Sequence, residues 1–147
     1  MLYHDYPGQH CSIAASLEVI GERWSLLIIR DIMRGTRRFD QIQASLGVAR
    51  NVLTKRLNRL QEADIIEKRP YQSNPERYEY FLTEKGLDLC PVLMAYLGWG
   101  DKYLEPDSGP PRLIVHKECG GQIDDRRICQ KCGKALEVRE AESVPGP

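Results

Sequence analysis

The stretch from Phe39 to Ile66 limits the folds open to this chain more than any other. Within Val48-Ala-Arg-Asn-Val-Leu-Thr-Lys-Arg-Leu-Asn-Arg-Leu-Gln61, Leu53, Leu57 and Leu60 recur at i, i+4 and i+7, so a helix lines them up on one face. Opposite them project Asn51, Lys55, Asn58 and Arg59, with Arg50, Thr54 and Arg56 on the flanks. The pattern predicts a half-buried helix whose outer face carries donors and positive charge. Just upstream, Phe39, Ile42 and Leu46 mark a short amphipathic helix that stops at Gly47. Two short helices joined by a tight turn containing Gly describe a helix-turn-helix, whose second helix enters the major groove of DNA. A merely solvated basic face is the alternative for one helix in isolation.

The surroundings favour the nucleic-acid reading. Formal net charge is zero over 147 residues, but the charge is unevenly placed. Arg34, Arg37, Arg38, Arg50, Lys55, Arg56, Arg59, Lys68 and Arg69 face only Asp40, Glu62, Asp64 and Glu67 in the same window, an excess of five positive charges. A local positive field on a neutral protein suits a polyanion at one face. A hydrophobic share of 41% with 29% charged residues reads as globular, with length for one domain and a small appendage. No apolar run reaches transmembrane length and the first residues lack a signal-peptide layout, which predicts a cytoplasmic protein without a membrane partner. Five cysteines are an odd number, which in such a compartment points to metal or redox chemistry over a disulfide framework.

Taken in order, residues 1–10 are polar and expected to be loosely held. Ser12 is the expected N-cap of a helix with the stripe Ile13, Leu17 and Ile20, ending at Gly21. A second helix, Arg23 to Met33, is apolar nearly all round and so belongs to a core. After Asp64 the period changes from 3.6 to 2. Residues 65–71 and 77–82 are predicted strands around a turn at 72–76, the wing of a winged helix with Arg69 and Arg77 near its tip. Thr83 is the expected N-cap of a following apolar helix that completes the core or packs on a second copy of the chain. Trp24, Tyr96 and Trp99 are expected in the core.

The series resembles the HxlR-type branch of the MarR-like winged-helix transcription regulators. The resemblance rests on Cys11, Leu17-Glu-Val-Ile-Gly-Glu-Arg-Trp-Ser-Leu-Leu-Ile-Ile-Arg30, Arg37-Arg-Phe39, Val52-Leu-Thr-Lys-Arg-Leu57, Arg77-Tyr-Glu-Tyr80, Leu82-Thr-Glu-Lys-Gly86 and Trp99-Gly100. It covers roughly residues 10–104 and implies a homodimeric DNA-binding regulator with no catalytic activity. It also implies a thiol-switch position at Cys11, where a helix N-terminus would stabilise a thiolate; a small residue packed at the dimer contact is the alternative. Three positions depart from the pattern. Ala49 stands where a capping Ser is usual, Asn51 where Lys or Arg is frequent, and Asp64 where Gly usually follows the helix.

Past a linker at 105–111, His116-Lys-Glu-Cys119-Gly120 and Cys129-Gln-Lys-Cys132-Gly133 repeat one pattern of ligand, two residues, Cys and Gly. Each suits a metal knuckle, with Gly allowing the left-handed bend after the second ligand. His116, Cys119, Cys129 and Cys132 together would make a closed structural zinc site, and a unit this small needs such a staple. Longer members of the family carry a similar tail. A redox pair at Cys129 and Cys132, or an ancestral site now empty, is the alternative.

The expected architecture is therefore mainly α with a β-hairpin wing over 1–104, a linker at 105–111, a small β-rich zinc-ribbon-like unit at 112–140, and a disordered tail at 141–147. The expected function is sequence-specific regulation of transcription, as a repressor acting on double-stranded DNA as a homodimer, under a small-molecule or oxidant effector. Asn51, Thr54, Lys55, Asn58 and Arg59 are the candidates for reading bases. Arg37, Arg38, Arg56 and the wing arginines Arg69 and Arg77 are the candidates for contacting the backbone, and Arg50 is a further DNA-binding candidate. The alternatives are a protein–protein adaptor and a redox- or metal-sensing protein without direct DNA readout. No motif of an enzyme is present.

Overall fold

The computed structural model describes residues 6–9, 11–104, 107–124 and 126–145. The expected loose N-terminus and linker thus lie partly outside the described residues. Elements run α1 (Ser12–Ile20), α2 (Ser25–Met33), α3 (Phe39–Leu46), α4 (Arg50–Glu62), β1 (Ile66–Ser73), β2 (Glu76–Leu82), α5 (Glu84–Leu87), α6 (Cys90–Tyr103), β3 (Arg112–His116), a 3-10 turn (Val138–Glu140) and β4 (Ala141–Pro145). They form two compact units, Met1–Gly86 and Leu87–Pro147.

The core of the first unit follows from the stripes. Leu53, Leu57 and Leu60 of α4 pack inward with Ile28, Ile29 and Ile32 of α2, Ile42 of α3, and Ile65 and Ile66. Each such side chain contributes roughly 1.5–3 kcal/mol on leaving water. Gly47 ends α3 at φ 62°, the left-handed conformation that costs Gly least, and turns the chain straight into α4. Asp64 takes the same role after α4, at φ 58°; the position demands a left-handed residue whether or not Gly fills it. Antiparallel β1 and β2 pair from Ile66 opposite Leu82 to Ser73 opposite Glu76. The hairpin is anchored at its base, where Arg37 C=O accepts the Tyr80 N–H at 2.8 Å and Arg38 bridges Glu79.

Thr83 caps α5 as expected, its Oγ accepting the Gly86 N–H at 3.1 Å and donating to Asp64 C=O at 2.6 Å. The apolar helix after it breaks in two because Pro91, lacking an N–H, fits only the first turn of α6.

The second unit differs from expectation in three ways. α6 belongs to it, since Met94 is buried with Ile123, Cys129 and Leu136. Residues 141–145 are a strand, because the backbone of β3 needs a partner and β4 supplies one, with Val144 opposite Leu113. Tyr96 and Trp99 are not core but 59% and 57% exposed. Cys90 and Met94 already occupy the inward face of α6, and Tyr96 and Trp99 lie on the other side.

At the start of the chain, Cys11 and not Ser12 is the N-cap of α1, its sulfur accepting the Ala14 N–H at 3.3 Å. The α1 stripe is only partly inward: Ile20 is buried, while Ile13 and Leu17 are exposed. Among the described residues no helix is long and apolar enough to cross a membrane.

Candidate nucleic-acid interface and metal-binding cluster

The outer side of α4 carries Arg50, Asn51, Thr54, Lys55, Asn58 and Arg59, all exposed, while the leucines hold the inner side. One helix thus presents a continuous row of donors on a fixed support. The row is partly pre-ordered. Arg50 stacks on Phe39 with its guanidinium carbon 4.7 Å from the ring centre. Thr54 donates to Arg50 C=O at 2.9 Å, and Asn51 Oδ1 accepts the Val52 N–H at 3.0 Å. Arg59 lies 3.8 Å from Glu62, close enough for weak attraction and loose enough to leave. Ala49 occupies the N-cap with extended backbone and gives no side-chain hydrogen bond.

The hairpin adds cations braced on aromatic rings. Arg37 and Arg69 each stack on Phe81 at 4.3 Å, Lys68 lies 4.6 Å from Tyr78, and Arg38 stacks on Tyr71 at 4.4 Å while pairing with Glu79 at 3.1 Å. Rings hold the guanidinium planes without neutralising them, so Arg37 keeps its charge for an outside anion, whereas Arg69 is also paired with Glu67, its Nε donating to Oε1 at 2.8 Å. Arg77 is exposed at the start of β2.

Arg56 stands apart from these expectations. Its Nη1 pairs with Glu22 Oε1 at 2.9 Å, both side chains being only 15% exposed. Nothing in the sequence marks Glu22 as its partner, or Phe81 and Tyr71 as ring platforms for the arginines. Residues so far apart along the chain meet only in the fold.

In the second unit the two repeated motifs fold alike. Gly120 and Gly133 are both left-handed, at φ 67° and 72°, and their N–H groups bond to His116 C=O and Cys129 C=O, each at 2.8 Å. The turns bring four ligand atoms within 4.8 Å of one another, on His116, Cys119, Cys129 and Cys132. His116 Nδ1 lies 3.3 Å from Cys119 Sγ and 3.7 Å from Cys132 Sγ, and the sulfurs of Cys119 and Cys129 are 3.5 Å apart. Tetrahedral bonds of zinc length place neighbouring ligand atoms about 3.5–3.8 Å apart, so the set fits one tetrahedral ion.

Gly121 closes the cradle, since a Cβ there would come within 2.6 Å of Cys129 Sγ. Nδ1 is the nitrogen aimed at the cluster. Nε2 is buried without a hydrogen bond, with Glu118 Oε2 3.7 Å away. The backbone N–H of Cys132, aided by that of Lys131, holds the Cys129 thiol down at about 6, favouring the thiolate that metals bind. Cys119 is moved up instead, because burial and the neighbouring thiols outweigh the lowering effect of the Gly121 N–H.

A three-helix support, a donor-lined helix after a tight turn and a basic hairpin together define a winged helix-turn-helix. Comparison with known proteins places it further. Residues 19–108 match the HxlR-like helix-turn-helix family, and the chain belongs to that family. It is 42% identical over 146 residues to the HTH-type transcriptional regulator Rv3095 of Mycobacterium tuberculosis, itself uncharacterized, covering 99% of this chain and 91% of the relative. The crystal structure of PA1607, a candidate transcription factor, superposes with a TM-score of 0.74 at 34% identity, covering 90% of this chain and 93% of that one. The redox regulator HypR in its oxidized form superposes at 0.58 with 28% identity, over 63% of this chain and 96% of its own. Family and relatives are transcription regulators, and the chain is a helix-turn-helix transcription regulator of this kind.

Proposed function

We propose that the protein binds double-stranded DNA sequence-specifically as a homodimer and represses transcription in the cytoplasm. The observation that carries this is the row Asn51, Thr54, Lys55, Asn58 and Arg59, exposed on a helix whose opposite face is fully buried. Asn can pair with adenine and Arg with guanine through two hydrogen bonds each. Arg37, Arg38, Arg50 and Arg77 supply phosphate contacts that set register. A dimer would space two such helices about one turn of DNA apart. Support for a second copy comes from α6, where Val92, Tyr96, Trp99 and Tyr103 form an exposed stripe at i, i+4, i+7 and i+11, a seam suited to another helix.

The test is a binding titration on the DNA upstream of the protein's own gene at several salt concentrations. Specific binding that falls steeply with salt supports the proposal; binding to a protein partner that ignores salt, with none to DNA, would replace it by the adaptor.

Zinc is the proposed metal, held by His116 Nδ1 and the sulfurs of Cys119, Cys129 and Cys132. When bound, it would cross-link the two knuckles as a closed structural site with no position open for catalysis. Thiol control is favoured by one further observation: Cys11 is exposed at the N-cap of α1, where oxidants and electrophiles can reach it. Oxidised protein that loses DNA binding, while oxidised Cys11→Ser keeps it, would establish the switch. Equal loss in both would assign control elsewhere.

A further inference from the structure

The Glu22–Arg56 pair lies off the donor row of α4, and its geometry assigns Arg56 a different task from its neighbours. We propose that Glu22 and Arg56 form the brace that sets the rotation of α4 about its own axis. Arg56 is then a positioning residue for DNA reading and not a phosphate ligand. The inference rests on the DNA-binding proposal above.

Both ends of the brace are fixed. Glu22 follows Gly21, where an added Cβ would fall 2.4 Å from the Leu17 carbonyl oxygen, so any side chain at 21 would displace the backbone from which Glu22 projects. The Glu22 carbonyl then accepts the Ser25 N–H at 3.1 Å, tying its backbone to the next turn. Arg56 points inward: its Nε is buried without a hydrogen-bond partner, and Nη1 reaches Glu22 at 2.9 Å. Its position is three residues after Leu53 and three before Arg59, at the border between the buried stripe and the donor row.

The leucine stripe alone does not fix this rotation well. Apolar burial is non-directional, whereas a short charge-assisted hydrogen bond between fixed partners is directional. A helix turned by about 20° carries side chains at a radius of 5–6 Å through about 2 Å, enough to break paired hydrogen bonds to a base edge.

The two roles for Arg56 predict opposite signs for one substitution. Glu22→Gln removes a negative charge near the DNA face. If Arg56 were a phosphate ligand restrained by Glu22, that change would tighten binding. If the pair is a brace, binding weakens. The experiment is a salt titration of full-length wild type, Glu22→Gln, Arg56→Gln and the double variant on the upstream fragment, with Arg50→Gln as the control for a lost phosphate contact.

The expected result is about tenfold weaker binding for each single variant, with the double variant no weaker than Arg56→Gln alone. The salt slope stays as in the wild type, while Arg50→Gln lowers it by about one. Unchanged or tighter binding by Glu22→Gln, or a slope lowered by Arg56→Gln, would overturn the inference. Should a variant fail to fold by circular dichroism, Glu22→Asp and Arg56→Lys take its place. These keep the charges but change the span, and wild-type affinity in both would also overturn it. A wild-type protein that binds no fragment overturns the DNA-binding proposal itself, an outcome distinct from wild-type binding with insensitive variants.

Discussion

Met94 on the inward side of α6 shares a buried cluster with Cys129, the first cysteine of the second knuckle, and Cys119 packs against the same cluster. The inward side of the helix whose outer stripe bears Tyr96 and Trp99 therefore rests on the cysteines proposed to hold the metal. Opening the knuckles removes the floor beneath α6, and a dimer seated on that stripe would feel the loss.

Metal removal should accordingly act on the second unit. Purified protein is expected to carry one zinc per chain by elemental analysis. Chelation or Cys129→Ser should lower the thermal midpoint of that unit and increase amide exchange along α6, while α2 and α4 keep their protection. Uniform protection after complete metal loss would show that the cluster is not a staple.

The α6 stripe makes a separate prediction. Because Tyr96 and Trp99 are exposed within one chain, Tyr96→Glu should leave a folded protomer and shift a dimer to monomer in sedimentation. A folded variant that stays dimeric would place the dimer contact elsewhere.

Ala49 leaves the first turn of α4 without a side-chain cap although its backbone is extended, as a capping residue requires. Ala49→Ser should stabilise the protein by about 0.5–1 kcal/mol, read as a rise in the midpoint of denaturant unfolding at constant slope.

At φ 58° Asp64 occupies a conformation that costs most residues about 1–2 kcal/mol. Asp64→Gly should relieve part of this and Asp64→Val should destabilise. The same unfolding measurement checks both, and a stabilising Val would contradict the backbone assignment.

The cysteines should separate by reactivity. Burial, with Asp88 adding, pushes the Cys90 thiol from 9.0 up to about 11, so at pH 8 it stays protonated and shielded, whereas Cys11 is exposed. Alkylation of native protein should label Cys11 and spare Cys90 until unfolding. The sign of the pH effect follows: the Cys90 contribution to stability is complete below 9 and is lost as pH rises through 11.

Most of the helix-turn-helix was legible before folding because its signals are local. The leucine spacing, the Gly47 stop, the Thr83 cap and the change of period after Asp64 each act within a few residues. The two Gly-terminated knuckles were legible for the same reason, since a left-handed turn after the second ligand is a property of five consecutive residues. Ser12 was the expected cap and Cys11 took the role, a one-residue error typical of helix ends.

What the chain could not declare by itself is which apolar surface meets which. Tyr96 and Trp99 look like core residues by type, yet Cys90 and Met94 hold the inward side of α6. Residues 141–145 read as a tail because their strand exists only when β3 offers unpaired backbone groups. Arg56 looks like one more basic residue on a basic helix until Glu22 is folded against it. The residue sequence determined the helices, turns, knuckles and the positive character of α4. Tertiary structure alone decided the partners, because burial and ion pairing depend on side chains brought together by folding and not on spacing along the chain.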